Sequence, residues 1–199
     1  ETEQNAGSNY SKDLKTLVSD PDGDALTITV VGTLPSGAAL TDGVFSWNNL
    51  PSDAAQKSVT FRVSDGSLTK EFTLTIPVNR GPEGTSVTET KQNAGSNYSK
   101  DLKTLVSDLD SDPLTITVVG TLPSGATLTD GVFSWSSLPS DAAQKSVTFR
   151  VSDGSLTKEF TLTIPVNRGP EGTSVTETKQ NAGSNYSKDL KTLVSDPDS

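Results

Sequence analysis

The sequence repeats itself every 88 residues, and this repeat limits the fold more than any other feature does. The segment Gln-Asn-Ala-Gly-Ser-Asn-Tyr-Ser-Lys-Asp-Leu begins at Gln4, Gln92 and Gln180. Residues 1–111 and 89–199 differ at only eight positions when they are aligned at this spacing. A unit of this length is too long for one turn of a solenoid and has the size of a small domain. The sequence therefore predicts tandem domains.

The repeat also sets the predicted domain boundaries. We expect repeat 1 at residues 1–79 without its first strand, repeat 2 at 80–167, and the first strands of a partial repeat 3 at 168–199. The segment at residues 81–88 recurs at residues 169–176 and has no counterpart before Glu1. Two interpretations stay open: the sequence is a window on a longer repetitive chain, or a strand is donated to another copy, because identical elements exchange at low cost.

Within each repeat, apolar residues alternate with polar ones at a period of two. The pattern is clearest at residues 26–30, 59–63 and 72–78, where Thr fills most polar positions. Such alternation places one face of a strand in a core and the other in water. Gly- and Pro-containing turns separate the segments, which favours an antiparallel two-sheet sandwich. Shorter elements are also predicted: strands at residues 14–18, 44–47 and 87–89, and one helical turn at residues 53–56.

Composition removes several functional classes. The chain has no His and no Cys, which excludes His-dependent catalytic triads, thiolate nucleophiles and disulfides. Its net charge of −9 disfavours binding to nucleic acid. The apolar runs are only a few residues long, so we predict no membrane insertion in this segment. No carboxylate pair has a predicted cleft around it, and we predict that the chain is not an enzyme.

Five short motifs carry a family resemblance: the Asp-rich turn at residues 20–24, Leu-Pro-Ser-Gly at 34–37, Gly-Val-Phe-Ser-Trp at 43–47, Val-Ser-Asp-Gly at 63–66 and the connector at 78–82. In this order they resemble tandem bacterial or archaeal cadherin-like repeats of the dystroglycan type and the Ig-like repeats of large surface proteins. The resemblance implies an all-β fold of tandem antiparallel Ig-like or cadherin-like β-sandwiches, of about seven strands each. It also implies an extracellular or cell-surface location.

Two acidic clusters are the strongest polar motifs. Three carboxylates at alternate positions can converge on calcium, which takes roughly six to eight oxygen ligands. The resemblance implies that this pole faces the preceding connector, as in calcium-binding cadherin repeats. Arg80 in the connector is an alternative partner through charge-assisted hydrogen bonds, and Asp65 and Asp153 either add a ligand or occupy hairpin turns. The candidate calcium ligands are Asp20, Asp22, Asp24, Asp108, Asp110 and Asp112.

The predicted function is a structural repeat module that forms an extended stalk or filament for adhesion or display. Its predicted partners are neighbouring repeats of the same chain or other copies, with strand exchange as one route. The alternative is a calcium-assisted module that recognises a polysaccharide or a partner repeat. Trp47 and Trp135 can stack on sugars, but burial in a small core accounts for them more simply.

Overall fold

The computed structural model describes residues 1–198, which form β-strands, short 3-10 turns and loops, with no α-helix in this range. No helix in the described range is long and apolar enough to span a bilayer. The domain boundaries predicted at 79/80 and 167/168 stay predictions. The chain divides into two compact units: Glu1–Glu83, Ser107–Leu114 and Ser152–Lys158 in the first, and Gly84–Val106, Thr115–Val151 and residues 159–198 in the second.

The first unit is built around a two-sheet sandwich. Its strands are β1 (Gln4–Asn5), β2 (Tyr10–Asp13), β3 (Thr27–Val30), β4 (Ala38–Thr41), β5 (Val44–Trp47), β6 (Gln56–Ser64) and β7 (Thr69–Asn79). One sheet has the strand order β1-β7-β6-β3 and the other has the order β2-β5-β4. The long strands pair antiparallel, whereas β1 is parallel to β7. This arrangement confirms the predicted all-β, Ig-like fold.

Alternating residues of the two sheets form the core of this sandwich. Phe45 of β5 and Phe61 of β6 are fully buried, with ring centroids 5.4 Å apart in an edge-on contact. On the opposite face of β6, Thr60 faces outward and its hydroxyl hydrogen-bonds that of Thr73 at 3.1 Å. β-Branched Thr suits the pleat while its hydroxyl stays paired. The period-two pattern therefore places apolar rings inside and Thr outside.

The second unit repeats this plan. The remaining strands in residues 1–198 are β8 (Glu83–Gly84), β9 (Val87–Thr88), β10 (Gln92–Asn93), β11 (Tyr98–Asp101), β12 (Val106–Ser107), β13 (Thr115–Val118), β14 (Ala126–Thr129), β15 (Val132–Trp135), β16 (Gln144–Ser152), β17 (Thr157–Asn167), β18 (Glu171–Gly172) and β19 (Val194–Ser195). The larger sheet of the second unit has the order β10-β17-β16-β13, with β9 as an additional parallel partner of β17, and its smaller sheet has the order β11-β15-β14.

Two local predictions are wrong. Residues 14–18 do not form a strand, because Leu14–Leu17 forms a 3-10 turn in which the Asp13 carboxylate accepts a hydrogen bond from the backbone N–H of Lys15 at 3.0 Å. An Asp at this position caps a helical turn by satisfying a free backbone donor. Residues 53–56 do not form a helical turn either, since Gln56 already pairs with Pro77 in the β6–β7 ladder.

Candidate functional site

The first acidic loop folds into a turn that satisfies its own backbone. Asp20 Oδ1 accepts hydrogen bonds from the backbone N–H groups of Asp22 at 2.9 Å and Asp24 at 3.1 Å. A short carboxylate reaches the backbone two residues on, which is why Asp favours such turns. The side chains of Asp22 and Asp24 are exposed to solvent. Within residues 1–198, these three carboxylates do not gather into a metal-binding cluster.

The second acidic loop has the same turn in different surroundings. Asp108 Oδ1 accepts from the backbone N–H groups of Asp110 at 2.8 Å and Asp112 at 3.2 Å. Asp108 and Asp112 then meet Asp153, and one carboxylate oxygen from each lies within 4.8 Å of the other two. Oxygens bound to one calcium ion at about 2.3–2.6 Å fall within such separations of one another. Two of the three predicted ligands of this loop therefore come together with Asp153.

The third predicted ligand of this loop, Asp110, contacts Arg80 instead. Its Oδ1 accepts from Arg80 Nε at 2.9 Å and Nη2 at 2.7 Å, and its Oδ2 accepts from the Arg80 backbone N–H at 2.6 Å. These hydrogen bonds lower the pKa of the Asp110 carboxyl below its usual range. Arg80 Nη2 also donates to the carbonyl of Leu109 at 2.9 Å. The arginine partner expected from the sequence is thus present, and we call this contact the arginine clamp.

In the described range, two side-chain oxygens of the cluster and of Asn79 beside it lack hydrogen-bond partners. Asn79 is 4% exposed, and its Nδ2 donates to Asn5 Oδ1 at 3.0 Å and to Asp153 Oδ2 at 3.2 Å. Among residues 1–198, Asn79 Oδ1 and Asp108 Oδ2 have no hydrogen-bond partner, although both atoms are shielded from solvent. Shielded oxygens are nearly always paired in folded proteins. A cation at the cluster would satisfy the Asp108 oxygen, and a rotated Asn79 amide would add a neutral oxygen ligand.

The charges within the cluster also repel one another, as expected of a site that could hold a cation. Partial burial, together with repulsion from Asp108, Asp110 and Asp153, raises the pKa of the Asp112 carboxyl above its usual range. Negative charge at Asp112 is therefore unfavourable in the folded chain. A bound cation would reverse the sign of this effect, because it would attract the same carboxylates that now repel one another.

Asp65 and Asp153 occupy the hairpin turns predicted for them. Asp65 Oδ1 accepts from the backbone N–H groups of Ser67 and Leu68, each at 2.6 Å. Asp153 Oδ1 makes the same two bonds, to the backbone N–H groups of Ser155 and Leu156, also at 2.6 Å. Asp153 nevertheless has its second oxygen available to the cluster. The two roles that the sequence offered for this residue are therefore compatible.

A second arginine clamp lies in the second unit. Arg168 Nε donates to Asp198 Oδ1 at 2.7 Å, its backbone N–H donates to Asp198 Oδ2 at 2.7 Å, and its Nη2 donates to the Pro197 carbonyl. The hydrogen bonds from the backbone and side chain of Arg168, helped by Lys91, lower the pKa of the Asp198 carboxyl to about 2. The same contact thus recurs 88 residues later, with Pro in place of Leu before the aspartate.

The tryptophans are core residues, as the sequence analysis favoured. Trp47 and Trp135 are 4% and 3% exposed. Their Nε1 atoms donate to the backbone carbonyls of Ser36 and Ser124, each at 3.1 Å. Satisfying the one polar atom of a buried indole is the usual condition for its burial. Neither ring face is presented to solvent as a platform for sugars.

Comparison with known proteins places the chain in a family. The sequence matches the family described as bacterial Ig domain over residues 2–77 and again over residues 79–165. The chain belongs to the bacterial Ig domain family. The narrower resemblance to dystroglycan-type cadherin-like repeats stays a prediction. No curated protein matches the sequence.

Solved structures that resemble this bacterial Ig chain include an endo-fucoidan hydrolase of glycoside hydrolase family 107, at 28% identity and a TM-score of 0.36 over 82% of this chain and 27% of the other. The I67–I69 fragment of titin matches at 11% identity and a TM-score of 0.46, over 87% of this chain and 65% of the other. Human protocadherin-24 EC1-2 matches at 16% identity and a TM-score of 0.44, over 76% of this chain and 85% of the other. The chain spans about a quarter of the length of the hydrolase.

Asn79 is the site residue that sequence reasoning missed. Its place in the connector motif at the end of a strand does not indicate a metal or charge cluster, because an Asn there is ordinarily read as a turn residue. The available signal was its position directly before Arg80, which was already a candidate partner for the acidic loop. Nothing in the sequence alone indicated that its side chain is buried.

Proposed function

We propose that this chain is a structural repeat segment of a large extracellular surface protein, which forms an extended stalk or filament for adhesion or display. The observation that carries the proposal is the recurrence of the arginine clamp, from Arg80 to Asp110 and from Arg168 to Asp198. In each case the arginine that follows the last long strand of a repeat contacts the acidic loop that comes next in the sequence. A connector held in this way loses freedom to bend.

The arginine clamp can be tested by solution scattering. Arg80→Ala removes three of the hydrogen bonds at this connector, and we expect a broader distribution of intramolecular distances than in the wild-type chain. Arg62→Ala is the matched control, because Arg62 pairs with Glu71 on the surface with its side chain 50% exposed. Identical distance distributions for the wild-type and Arg80→Ala chains would contradict the proposal that the clamp stiffens the connector.

Location can be tested independently. An antibody raised against the chain should label intact cells of the source organism, and external protease should remove the label. A signal that is seen only after the cells are permeabilised would contradict an extracellular role.

The second candidate function is calcium-assisted recognition, and the cluster of Asp108, Asp112 and Asp153 favours it. These carboxylates, together with the Asn79 amide, offer hard oxygen ligands of the kind that calcium prefers. Calcium held at the end of the connector would order the surface that a partner repeat meets. The buried tryptophans supply no aromatic platform for a polysaccharide, so a partner repeat is the better candidate for what is recognised.

Calcium binding predicts a shift in melting temperature. Millimolar calcium should raise the Tm, because a ligand that binds only the folded state stabilises it. Asp112→Asn should abolish most of this rise, whereas Asp24→Asn, the equivalent change in the exposed first loop, should leave it intact. A rise of the same size in both variants would show that calcium acts elsewhere, and no rise in the wild-type chain would remove calcium from the proposal.

A further inference from the structure

The strand β3 forms one edge of the larger sheet of the first unit, and its outer side is open. The sheet order ends at β3, so within residues 1–198 no strand lies along that side. β13 ends the larger sheet of the second unit in the same way. A further copy of the repeat follows the first unit and another precedes the second, yet both edges are open. The open edge is therefore a property of each repeat.

The hydrogen-bond pattern shows which backbone groups of β3 face outward. The Val31 N–H donates to the Thr60 carbonyl at 2.9 Å, so these residues form a hydrogen-bonded pair next to the β3–β6 ladder. Such pairs alternate with non-hydrogen-bonded pairs along antiparallel strands. Thr29, two residues before Val31, therefore also bonds to β6. The N–H and C=O groups of Ile28 and Val30 point away from β6, toward the open side.

Apolar side chains beside this edge are only partly buried. Ile28 and Val30 of β3 and Leu40 of β4 line a groove of about 540 Å³. All three are partly buried, whereas Phe45 in the same core is fully buried. A partner strand along β3 would extend the apolar inner face of the sheet over this groove. The equivalent side chains of the second unit are also partly buried: Ile116, Val118 and Leu128.

The two strands that border the groove lie in a segment without charge. Residues 25–41 and 113–129 contain no Asp, Glu, Lys or Arg, and they are the longest such segments of the chain. Lys15 and Asp42, which also line the groove, have opposite charges. The edge strand β2 of the smaller sheet, in contrast, contains one Lys and one Asp. Charged residues protect an edge strand from pairing with another chain, and β3 lacks this protection.

This distribution of charge favours a second copy of the chain as the occupant of the edge. The chain has a net charge of −9, so two copies repel each other least where both surfaces are uncharged. A strongly basic partner would find no acidic residue on β3 or β4 to pair with. The edge therefore suits a neutral strand, and the same edge of another copy is such a strand.

The edge is also complementary to itself. When two β3 strands run antiparallel with Thr29 opposite Thr29 of the second copy, Ile28 of each lies opposite Val30 of the other. These pairs have outward N–H and C=O groups, so each pair can exchange both of its hydrogen bonds. Apolar side chains then meet on the inner face and Thr meets Thr on the outer face, as Thr60 meets Thr73 within the sheet.

We propose that β3 of one chain pairs antiparallel with β3 of a second copy about a two-fold axis at Thr29. The edge at β13 offers a second contact of the same kind about Thr117, because residues 26–31 and 114–119 have the same sequence. Since repulsion between acidic chains opposes the approach, added salt should strengthen association. This inference goes beyond the proposed stalk function and does not depend on it.

Sedimentation equilibrium of the full chain with Thr117→Lys tests the β3 contact alone, because two Lys side chains would face each other across a β13 pair. We expect the mass to rise with concentration and to level off at twice that of the monomer. Adding Thr29→Lys should abolish the rise, whereas adding Thr29→Val, which keeps the edge uncharged, should preserve it. Ser58→Lys, at an exposed position of the central strand β6, is the matched control for charge and should also preserve it.

Amide hydrogen exchange locates the contact. In the Thr117→Lys chain, the N–H groups of Ile28 and Val30 should exchange freely at low concentration and become protected in step with the rise in mass. The N–H of Val31 should be protected at every concentration, because it bonds within the sheet. Protection of Val31 in the chain that also carries Thr29→Lys would show that β3 remains in its sheet and that only association is lost.

A single cysteine gives an independent measurement, because the chain has no Cys of its own. In the proposed register, Thr29 and its counterpart form a non-hydrogen-bonded pair with Cα atoms about 4.5 Å apart. This separation lies within the roughly 4.4–6.8 Å that a disulfide spans. Thr29→Cys in the Thr117→Lys chain should therefore give a disulfide-linked dimer in oxidised glutathione, whereas Ser58→Cys in the same chain should not.

Four outcomes would overturn the proposal. They are a monomer at every concentration, association that persists when both Thr29→Lys and Thr117→Lys are present, association without protection of Ile28 and Val30, and equal crosslinking through positions 29 and 58. None of these outcomes bears on the arginine clamp.

Discussion

The two acidic loops, at residues 20–24 and 108–112, have nearly the same sequence and the same internal turn, yet they differ in what surrounds them. Asp22 is exposed, whereas Asp110 is 10% exposed and held by three hydrogen bonds from Arg80. Asp112 meets Asp153 and lies in a partly buried cluster, while its equivalent Asp24 is in water. The difference shows that the turn is a local property, whereas the chemistry of each carboxylate depends on the segment that covers it.

The largest expected effect concerns Phe160, which is 1% exposed under the closely packed backbone at Gly84, whereas its equivalent Phe72 is only partly buried. Phe160→Ala should cost about 4 kcal/mol of unfolding free energy, because it empties a fully packed site, whereas Phe72→Ala should cost about half as much from a site that is already partly solvated. Urea denaturation followed by tryptophan fluorescence measures both unfolding free energies. In a Trp47→Phe background the signal comes from Trp135 in the second unit, and in a Trp135→Phe background it comes from Trp47 in the first. Equal losses would mean that the segment at Gly84 contributes nothing to the packing of Phe160.

Loss of the arginine clamp should have the next largest effect. Asp110→Ala should lower the unfolding free energy by about 2 kcal/mol, because it removes charge-assisted hydrogen bonds and leaves the Arg80 guanidinium without its carboxylate partner. Asp22→Ala should stay within about 0.5 kcal/mol, as expected for an exposed residue. Thermal denaturation measures both losses. Equal losses of unfolding free energy in Asp110→Ala and Asp22→Ala would contradict the proposed difference between the two loops.

A smaller effect should distinguish Asp110 from Asp112 in the second loop by the pH dependence of stability. The pKa of Asp110 is lowered, so its stabilising contribution is present above the pKa of the unfolded chain and is lost as pH falls through the folded pKa. The pKa of Asp112 is raised, so its charged form destabilises the fold, and protonation relieves this as pH falls. Asp112→Asn should therefore raise the Tm at neutral pH in calcium-free buffer.

The matched control for this prediction is Asp24→Asn, which should leave the Tm almost unchanged across the same pH range. The gain from Asp112→Asn should shrink below the raised pKa, because the wild-type carboxyl is then neutral as well. A gain that is independent of pH would show that repulsion among Asp108, Asp112 and Asp153 is not its cause.

The smallest effect should be the same in both copies. Arg62 pairs with Glu71 at 2.7 Å and Arg150 pairs with Glu159 at 2.6 Å, and all four side chains are about half exposed. Replacing either arginine with Ala should change stability by less than about 0.5 kcal/mol. A larger loss of unfolding free energy in one repeat than in the other, measured by the same fluorescence assay, would show that the repeats also differ away from the two acidic loops.

Much of the fold could be predicted because its information is local. Alternation of apolar residues and Thr located β3, β6 and β7, and the prediction for β5 agrees with the structure at both ends. The 3-10 turn at Leu14–Leu17 was misread as a strand, because so short an apolar segment does not distinguish a strand from a helical turn. The capping contact from Asp13 decides the conformation there.

The site was less predictable because it depends on contacts between distant segments. The turn formed by Asp108 follows from its sequence, and the clamp was foreseeable as an alternative from the charge of Arg80. Asp153 lies more than 40 residues after Asp108 in the sequence, and Asn79 lies 29 residues before it. Their approach to the cluster depends on how distant loops pack together. No periodicity in the sequence encodes such an approach.

The parallel pairing of β1 with β7 has a mechanical consequence. Gln4 lies opposite Val78 and Asn5 opposite Asn79, and the Ala6 N–H donates to the Asn79 carbonyl at 2.8 Å. Tension applied at the two termini of the sandwich would slide these strands lengthwise past each other, so their bonds would be sheared together instead of unzipping singly. Resistance to pulling would then depend on the rate at which the β1–β7 hydrogen bonds break, since forced unfolding is governed by the unfolding rate.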